Sequence, residues 1–177
     1  MKTFEASKYY SSSAKINLGL KIINKRNDGF HNLDTIFIEL ELHDKIYFSK
    51  SNKFSLTTSC KSLKTDDSNI VTKAYNLLCS NKIKSKPNYS IYLDKKIPMG
   101  SGLGGGSSNA ATTLKALNTL WDCGYTNSEL SKLGASLGAD VPFFINGGIQ
   151  HGSGIGDILT PLKNNIFSKL KVLLVIP

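Results

Sequence analysis

Apolar and polar residues alternate in three stretches of the chain, which predicts β-strands with one buried face each. The first stretch places apolar side chains at every second position, at Ile16, Leu18, Leu20 and Ile22. The other two are residues 36–42 and 89–93. Further short strands are expected at 45–49 and 53–58. Asn27-Asp28-Gly29 is typical of a turn between the first two strands.

Helical spacing of apolar residues characterises three other stretches, 70–78, 107–121 and 127–137. Thr126 and Glu129 form a capping box before the last of them, and Gly138 is a good C-terminal stop. A final apolar run, residues 172–176, predicts a buried strand. The mixture of strands and helices indicates an α/β (α+β) fold.

Composition narrows the class of protein. The chain has 177 residues, enough for one domain with a real core, and a formal net charge of +9. Its lysines are scattered without interleaved aromatic residues, so we expect no nucleic-acid partner. The three cysteines lack metal-ligand spacing, which favours a cytoplasmic location over a disulfide framework. No secretory leader and no membrane span are predicted.

The most informative segment runs from Pro98 to Ser108 and leads directly into a predicted helix. It holds five glycines within seven positions. Backbone N–H groups in such a segment can converge on an anion, and the helix start adds free donors and a positive dipole end. The segment therefore predicts a phosphate cradle. It is neither a dinucleotide fingerprint, because the acid 20 residues beyond Gly102 ends a helix, nor a Walker A loop, because no Gly-Lys-Ser/Thr follows.

Other candidate residues each have a structural and a functional interpretation. Ser107 and Ser108 could cap the helix or bind phosphate or Mg²⁺. Asp140, before Val-Pro, could form a turn or act in catalysis. Lys15 and Asn17 lie on the face opposite Ile16, which is either solvent-exposed or part of a site. The turn ending in Phe30-His31 could be a hairpin tip or a ligand contact.

Four separated segments together resemble the GHMP kinase superfamily in order and spacing, and the likeness extends over essentially the whole chain. They are Ala14-Lys15-Ile16-Asn17-Leu18, Asp28-Gly29-Phe30-His31, the stretch from Pro98 to Ala111, and Leu137-Gly138-Ala139-Asp140-Val141-Pro142. The resemblance implies a mixed, mostly antiparallel sheet with packed helices, like the ribosomal protein S5 domain 2-like N-terminal domain of these kinases.

The resemblance also implies roles for residues. Asp140 would take the proton of the substrate hydroxyl, with Lys15 beside it, so their charged groups should lie within the roughly 4–6 Å over which charges couple. Asn17, Phe30 and His31 would bind substrate. Mg²⁺ is expected, with no protein ligand assigned to it. ATP phosphates would be bound by Pro98, Met99, Gly100, Ser101, Gly102, Leu103, Gly104, Gly105, Gly106, Ser107 and Ser108.

Within the superfamily, the resemblance is to kinases that phosphorylate the 2-hydroxyl of a cytidine diphosphate-linked methylerythritol in the methylerythritol phosphate route to isoprenoids. Another small-molecule kinase, for mevalonate or homoserine, and a non-catalytic nucleotide-binding fragment remain alternatives. The family has a second domain, so residues 1–177 are expected to be the N-terminal, ATP-binding domain of a truncated protein. We expect nucleotide binding without efficient transfer.

Three residues depart from the family pattern. Ser13 replaces a usual proline, and Phe30 replaces the commoner tyrosine but keeps an aromatic face. Ser101 replaces a glycine, which is tolerable only where its φ is negative.

Overall fold

The computed structural model describes residues 9–80, 86–163 and 171–175. Their elements are β1 (Tyr9–Lys25), β2 (His31–Ser51), β3 (Ser55–Thr58), α1 (Ile70–Ser80), β4 (Asn88–Asp94), α2 (Gly105–Leu120), α3 (Asn127–Ala135), α4 (Val141–Asn146), β5 (Ile149–Ser153) and β6 (Ile158–Pro161). None of the helices described is long and apolar enough to cross a membrane.

One mixed sheet organises the fold, as the family resemblance implies. Its strands follow the order β3-β4-β2-β5-β6, and β1 pairs with β2. The β3–β4 pair is parallel, whereas the pairs that β2 makes with β1, β4 and β5 and the β5–β6 pair are antiparallel. The predicted strands 36–42 and 45–49 are one continuous strand, β2, because the two polar residues between them, His43 and Asp44, also pair with β1.

The main core lies between this sheet and the helices. Strand residues such as Ile46 and Ile91 pack with Leu114 and Leu117 of α2, and all four are at most 1% exposed. A second, small cluster contains Ala14, Ile97 and Leu103, with Leu40, Leu42 and Leu174 packed against it. This cluster joins β1 and β2 to the glycine-rich segment.

The helix boundaries correct two expectations. Helix α2 begins at Gly105 and has Gly104 at its N-cap, without a side-chain cap, so neither Ser107 nor Ser108 caps it. The capping box of Thr126 and Glu129 is confirmed at the start of α3, but the helix ends at Ala135 with Ser136 as its C-cap, before the predicted stop at Gly138. The sequence interpretation missed α4, β5 and β6, which are only six, five and four residues long.

The buried face predicted for residues 16–22 is wrong beyond Ile16. Leu18, Leu20 and Ile22 are 42%, 54% and 60% exposed. A register shift between Leu18 and Leu20, at Gly19 with φ +72°, breaks the alternation, so Leu18 lies opposite Ile36 whereas Leu20 lies opposite Thr35.

The terminal strand predicted for 172–176 is also wrong over its described part. Residues 171–175 form no strand, and Leu173 and Val175 are 88% and 83% exposed. Leu174 alone packs against the small cluster. Ile176 lies outside the described residues.

Candidate active site

The glycine-rich segment forms a turn-rich loop that needs its glycines. Gly100, Gly102 and Gly104 have φ of +70°, +74° and +70°, a region that side chains with a Cβ rarely adopt. Ser101 stands between two of them with negative φ, because Asp122 is the one non-glycine residue with positive φ in the described part of the chain. The condition set for Ser101 by the sequence is therefore met.

This loop lines a cavity of about 710 Å³, a size typical of small-molecule sites. Ten of the eleven residues assigned to ATP line it, from Pro98 to Ser107. Ser108 does not, because its buried hydroxyl lies 2.8 Å from that of Ser12. The cavity wall also includes residues that the sequence interpretation missed: Ser62, Leu63, Lys64, Ser68, Asn69, Ile70, Leu93, Lys95 and Asn109.

A buried polar network holds the loop from behind. Asp44 is fully buried and accepts hydrogen bonds from the backbone N–H groups of Lys96 and Ile97, at 2.7 and 2.8 Å. Its other oxygen accepts from Lys95 Nζ at 2.5 Å and Asn109 Nδ2 at 2.8 Å. Since Ile97 precedes the loop and Asn109 lies in α2, Asp44 fixes both ends of the loop to the sheet.

Lys15 and Asp140 meet beside the loop although they are far apart in sequence. Lys15 Nζ lies 3.6 Å from Asp140 Oδ2, which confirms the predicted approach. Asp140 is the N-cap residue of α4, yet its side chain makes no capping hydrogen bond. The backbone N–H of Lys15 donates to Leu103 O at 2.9 Å, so Lys15 is fixed to the loop.

A chain of hydrogen bonds orients Lys15. Its ammonium donates to Asn17 Oδ1 at 2.7 Å, and Asn17 Nδ2 donates to Thr35 Oγ1 at 3.0 Å. Thr35 Oγ1 in turn donates to Gly19 O at 2.7 Å. Asn17 is thereby placed beside the charged pair, where the resemblance expects a substrate contact.

Phe30 and His31 lie far along the chain from that pair. They stand at the tip of the β1–β2 hairpin, where Phe30 is 58% exposed. The turn is closed by Asp28, whose carboxylate accepts from Phe30 N at 3.1 Å and has its pKa lowered mainly by the side-chain hydrogen bond from Arg26. His31 lies opposite Lys25, ten strand residues or roughly 30 Å along β1 from Lys15. The structure therefore brings Asn17, but not Phe30 or His31, to the charged pair.

The described side chains near the loop include few that could coordinate a metal ion. Across residues 9–80, 86–163 and 171–175, no cluster of three His, Cys, Asp or Glu could hold a metal ion. Mg²⁺ fits such a site when one carboxylate and the substrate phosphates coordinate it. Asp140 is a carboxylate beside the loop, and Ser107 is one of the residues that line the cavity.

Sequence signals for the missed residues were present in part. Asp44 interrupts an apolar alternation that continues to Ile46, and an acid at such a position indicates a buried partner. The partners themselves could not be predicted, because Lys95 and Asn109 reach Asp44 from positions 51 and 65 residues away.

The fold and the loop at the start of α2 indicate which class of protein this chain resembles. Residues 69–148 match the family described as GHMP kinases N terminal domain. This match to the N-terminal domain of GHMP kinases confirms the resemblance, and the described elements confirm the α+β fold inferred from the sequence.

Within that family, the chain is similar to 4-diphosphocytidyl-2-C-methyl-D-erythritol kinase. The enzyme of that name from Prochlorococcus marinus (strain MIT 9301) is 47% identical over 158 residues, 87% of this chain and 50% of the relative. That from Colwellia psychrerythraea (strain 34H / ATCC BAA-681) is 46% identical over 156 residues, 87% of this chain and 51% of the relative. The chain thus spans about half the length of the curated relatives it matches.

Solved structures agree. The crystal structure of 4-(cytidine 5'-diphospho)-2C-methyl-D-erythritol kinase superimposes with a TM-score of 0.76 at 35% identity, covering 88% of this chain and 55% of that one. The mevalonate kinase of Methanococcus jannaschii has a TM-score of 0.67 at 17% identity, covering 91% and 57%, which supports the fold alone.

Proposed function

We propose that this chain binds ATP in the glycine-loop cavity and supplies the catalytic pair for phosphorylation of the 2-hydroxyl of 4-diphosphocytidyl-2-C-methyl-D-erythritol. The observation that carries the proposal is the meeting of Lys15 and Asp140, 3.6 Å apart, beside a loop whose glycines require left-handed backbone. The names of the relatives support the choice of substrate and of the isoprenoid route.

Phosphoryl transfer depends on positioning and charge neutralisation more than on covalent help. Loop N–H groups and the N-terminal end of α2 would hold the β- and γ-phosphates. Asp140 would accept the proton of the attacking hydroxyl, because its carboxylate is not used in capping α4. Lys15, held by Asn17, would orient that hydroxyl and balance the charge of Asp140.

Mg²⁺ is part of the proposal, with Asp140 and the Ser107 hydroxyl as the protein groups available beside the phosphates. When bound, it neutralises charge between the transferring phosphate groups. Ser108 is not given this role, because its hydroxyl is paired with Ser12.

Phe30, His31 and Asn17 are proposed to bind the cytidylyl alcohol. The exposed hairpin tip leaves the face of Phe30 free for stacking on a base. Phe30 lies far from Lys15 along β1. A substrate that contacts both residues would therefore have to be extended, or the hairpin would have to bend towards Lys15. We further propose that residues 1–177 correspond to the N-terminal half of such a kinase. We also propose that the protein acts in the cytoplasm, where its free thiols Cys60, Cys79 and Cys123 stay reduced.

The test combines binding and transfer. ATP·Mg affinity is measured by calorimetry, and single-turnover assays with protein in excess over γ-labelled ATP detect slow transfer. We expect ATP binding and label on the cytidylyl alcohol, with none on mevalonate or homoserine. Label on either of those alcohols would identify another kinase of the family, and a chain that does not bind ATP would refute the proposal.

A further inference from the structure

The short helix α4 is held at its C-terminal end by two charged side chains outside the catalytic pair. Lys115, in the middle of α2, donates from Nζ to the backbone carbonyl of Phe144 at 2.8 Å. Glu39, in β2, accepts from the backbone N–H of Gly148 at 2.6 Å, just beyond the end of α4. The two side chains therefore clamp the end of α4 from the helix layer and from the sheet.

The turn after α4 is shaped around Glu39. Gly147 ends the helix with φ +68°, and a Cβ at this position would lie 2.5 Å from Glu39 Oε2. A glycine is thus needed both for the backbone conformation and for the approach of the carboxylate. This close fit shows that the Glu39 contact is built into the turn.

The two clamping groups also act on each other electrostatically. Burial lowers the pKa of Lys115, and the charge of Glu39 opposes that effect. A half-buried ammonium that keeps one carbonyl and faces one carboxylate is costly to leave without either partner.

The position of α4 matters because its side chains reach the site. The Phe144 ring lies 2.8 and 2.9 Å from the place where a Cβ of Gly104 would stand, and Lys15 Cγ lies 3.0 Å from the same place. Phe144 therefore packs into the corner between the N-cap of α2 and the Lys15 side chain. Asp140 stands at the opposite end of the same helix, 3.6 Å from Lys15 Nζ.

We propose that Lys115 and Glu39 are positioning residues that hold α4 so that Phe144 covers Lys15 and Asp140 stays in contact with it. We call these two side chains, Lys115 and Glu39, the brace. The importance of the brace for catalysis rests on the proposed function, whereas its effect on the accessibility of Lys15 does not. The cradle has its own support in Asp44 and Lys95, so the brace should affect the charged pair and leave ATP binding nearly unchanged.

Amine-reactive footprinting with mass spectrometry tests the brace directly, in the absence of nucleotide. Lys15 and Lys95 are matched reporters, with side chains 9% and 8% exposed. In Lys115→Met, which keeps length but removes the ammonium, Lys15 labelling should rise about five- to thirtyfold, the population change expected when a local structure loses one buried hydrogen bond. Lys95 should label as in the wild type. Lys73→Met, at an exposed lysine of α1, is the control and should change neither.

Glu39→Gln is the second variant. It keeps an oxygen acceptor for Gly148 N but removes the charge facing Lys115, so a smaller rise at Lys15 is expected. Unchanged Lys15 labelling in folded Lys115→Met, or in Glu39→Gln should Lys115→Met fail to fold, would overturn the brace. A parallel rise at Lys95 would also overturn it, because that result reports general loosening.

Single-turnover transfer separates the brace from the proposed function. In Lys115→Met the transfer rate should fall at least about tenfold while ATP affinity stays within about twofold, the pattern of an interaction that acts on the reacting groups. Wild-type protein that binds ATP but transfers no phosphate would count against the proposed function. The labelling of Lys15 would still show whether Lys115 and Glu39 hold α4 in place. A normal transfer rate in folded Lys115→Met would refute the positioning role.

Discussion

Alanine substitutions at three loop glycines should separate backbone strain from steric fit. At Gly106, inside α2, an added Cβ meets only Ile70 Cγ2 at 3.9 Å, so neither effect operates. At Gly102, with φ +74° and nothing within 4 Å, only strain operates. At Gly104, with φ +70°, the Cβ would in addition stand 2.8 Å from Phe144 and 3.0 Å from Lys15.

The magnitudes follow from these distances. Gly106→Ala should be neutral or stabilising by up to about 1 kcal/mol, because alanine favours helix over glycine. Gly102→Ala should cost about 1–2 kcal/mol for a left-handed backbone. Gly104→Ala should add about 1–3 kcal/mol of overpacking to that strain, about 2–5 kcal/mol in total. Displacement of the α2 start, where Gly104 is the N-cap, should also weaken ATP binding at least about tenfold, or about 1.4 kcal/mol.

The assay is urea unfolding followed by the fluorescence of the single tryptophan, Trp121, which is 7% exposed. The midpoint and the m-value give the free energy of unfolding for each variant. The order Gly106, Gly102, Gly104 of increasing cost is the expected result. A Gly104→Ala variant no less stable than Gly102→Ala would refute the packing of Phe144 against the cradle.

Three further predictions concern charged residues. Asp140→Asn should lower single-turnover transfer at least about a hundredfold with ATP affinity little changed, as the loss of a general base does; an unchanged rate would exclude that role for Asp140. Asp44→Ala should lower the free energy of unfolding in urea by about 3–5 kcal/mol, because it leaves Lys95 buried without its carboxylate partner. The control is Asp34→Ala, which removes an exposed pair with His151 and should cost at most about 1 kcal/mol. Equal costs for the two variants would contradict the buried network around Asp44. Because burial lowers the pKa of Lys115 in the folded chain, the unfolded chain binds more protons between that lowered value and the ordinary lysine pKa of about 10.4. The stability of wild type relative to Lys115→Met should therefore increase as pH rises through that window, and a flat difference would show that Lys115 is solvated.

Local patterns predicted the elements that depend on local chemistry. The capping box at Thr126 and the glycine density of the loop report hydrogen bonds and backbone angles within a few residues. The alternation at 16–22 predicted a strand correctly but misplaced its buried face, because the bulge at Gly19 and the projection of the hairpin depend on pairing with β2.

The candidate site shows the same limit. Lys15 and Asp140 were placed together by resemblance, since neither residue carries a local signal for the other. Lys115 and Glu39 gave no signal at all, because an isolated lysine on a helix and an acid in a strand are ordinary surface residues. Only α4, which the sequence interpretation missed, gives them a common partner.

The most direct test of the nucleotide site is an ATP·Mg titration of the ¹⁵N-labelled chain followed by amide chemical shifts. We predict large, saturable shifts for the amides of Gly102, Gly104, Gly105, Gly106 and Ser107, with small shifts for α3 residues such as Leu130. Saturable binding that leaves the loop amides unmoved, or no binding at all, would contradict the assignment of this loop as the phosphate cradle.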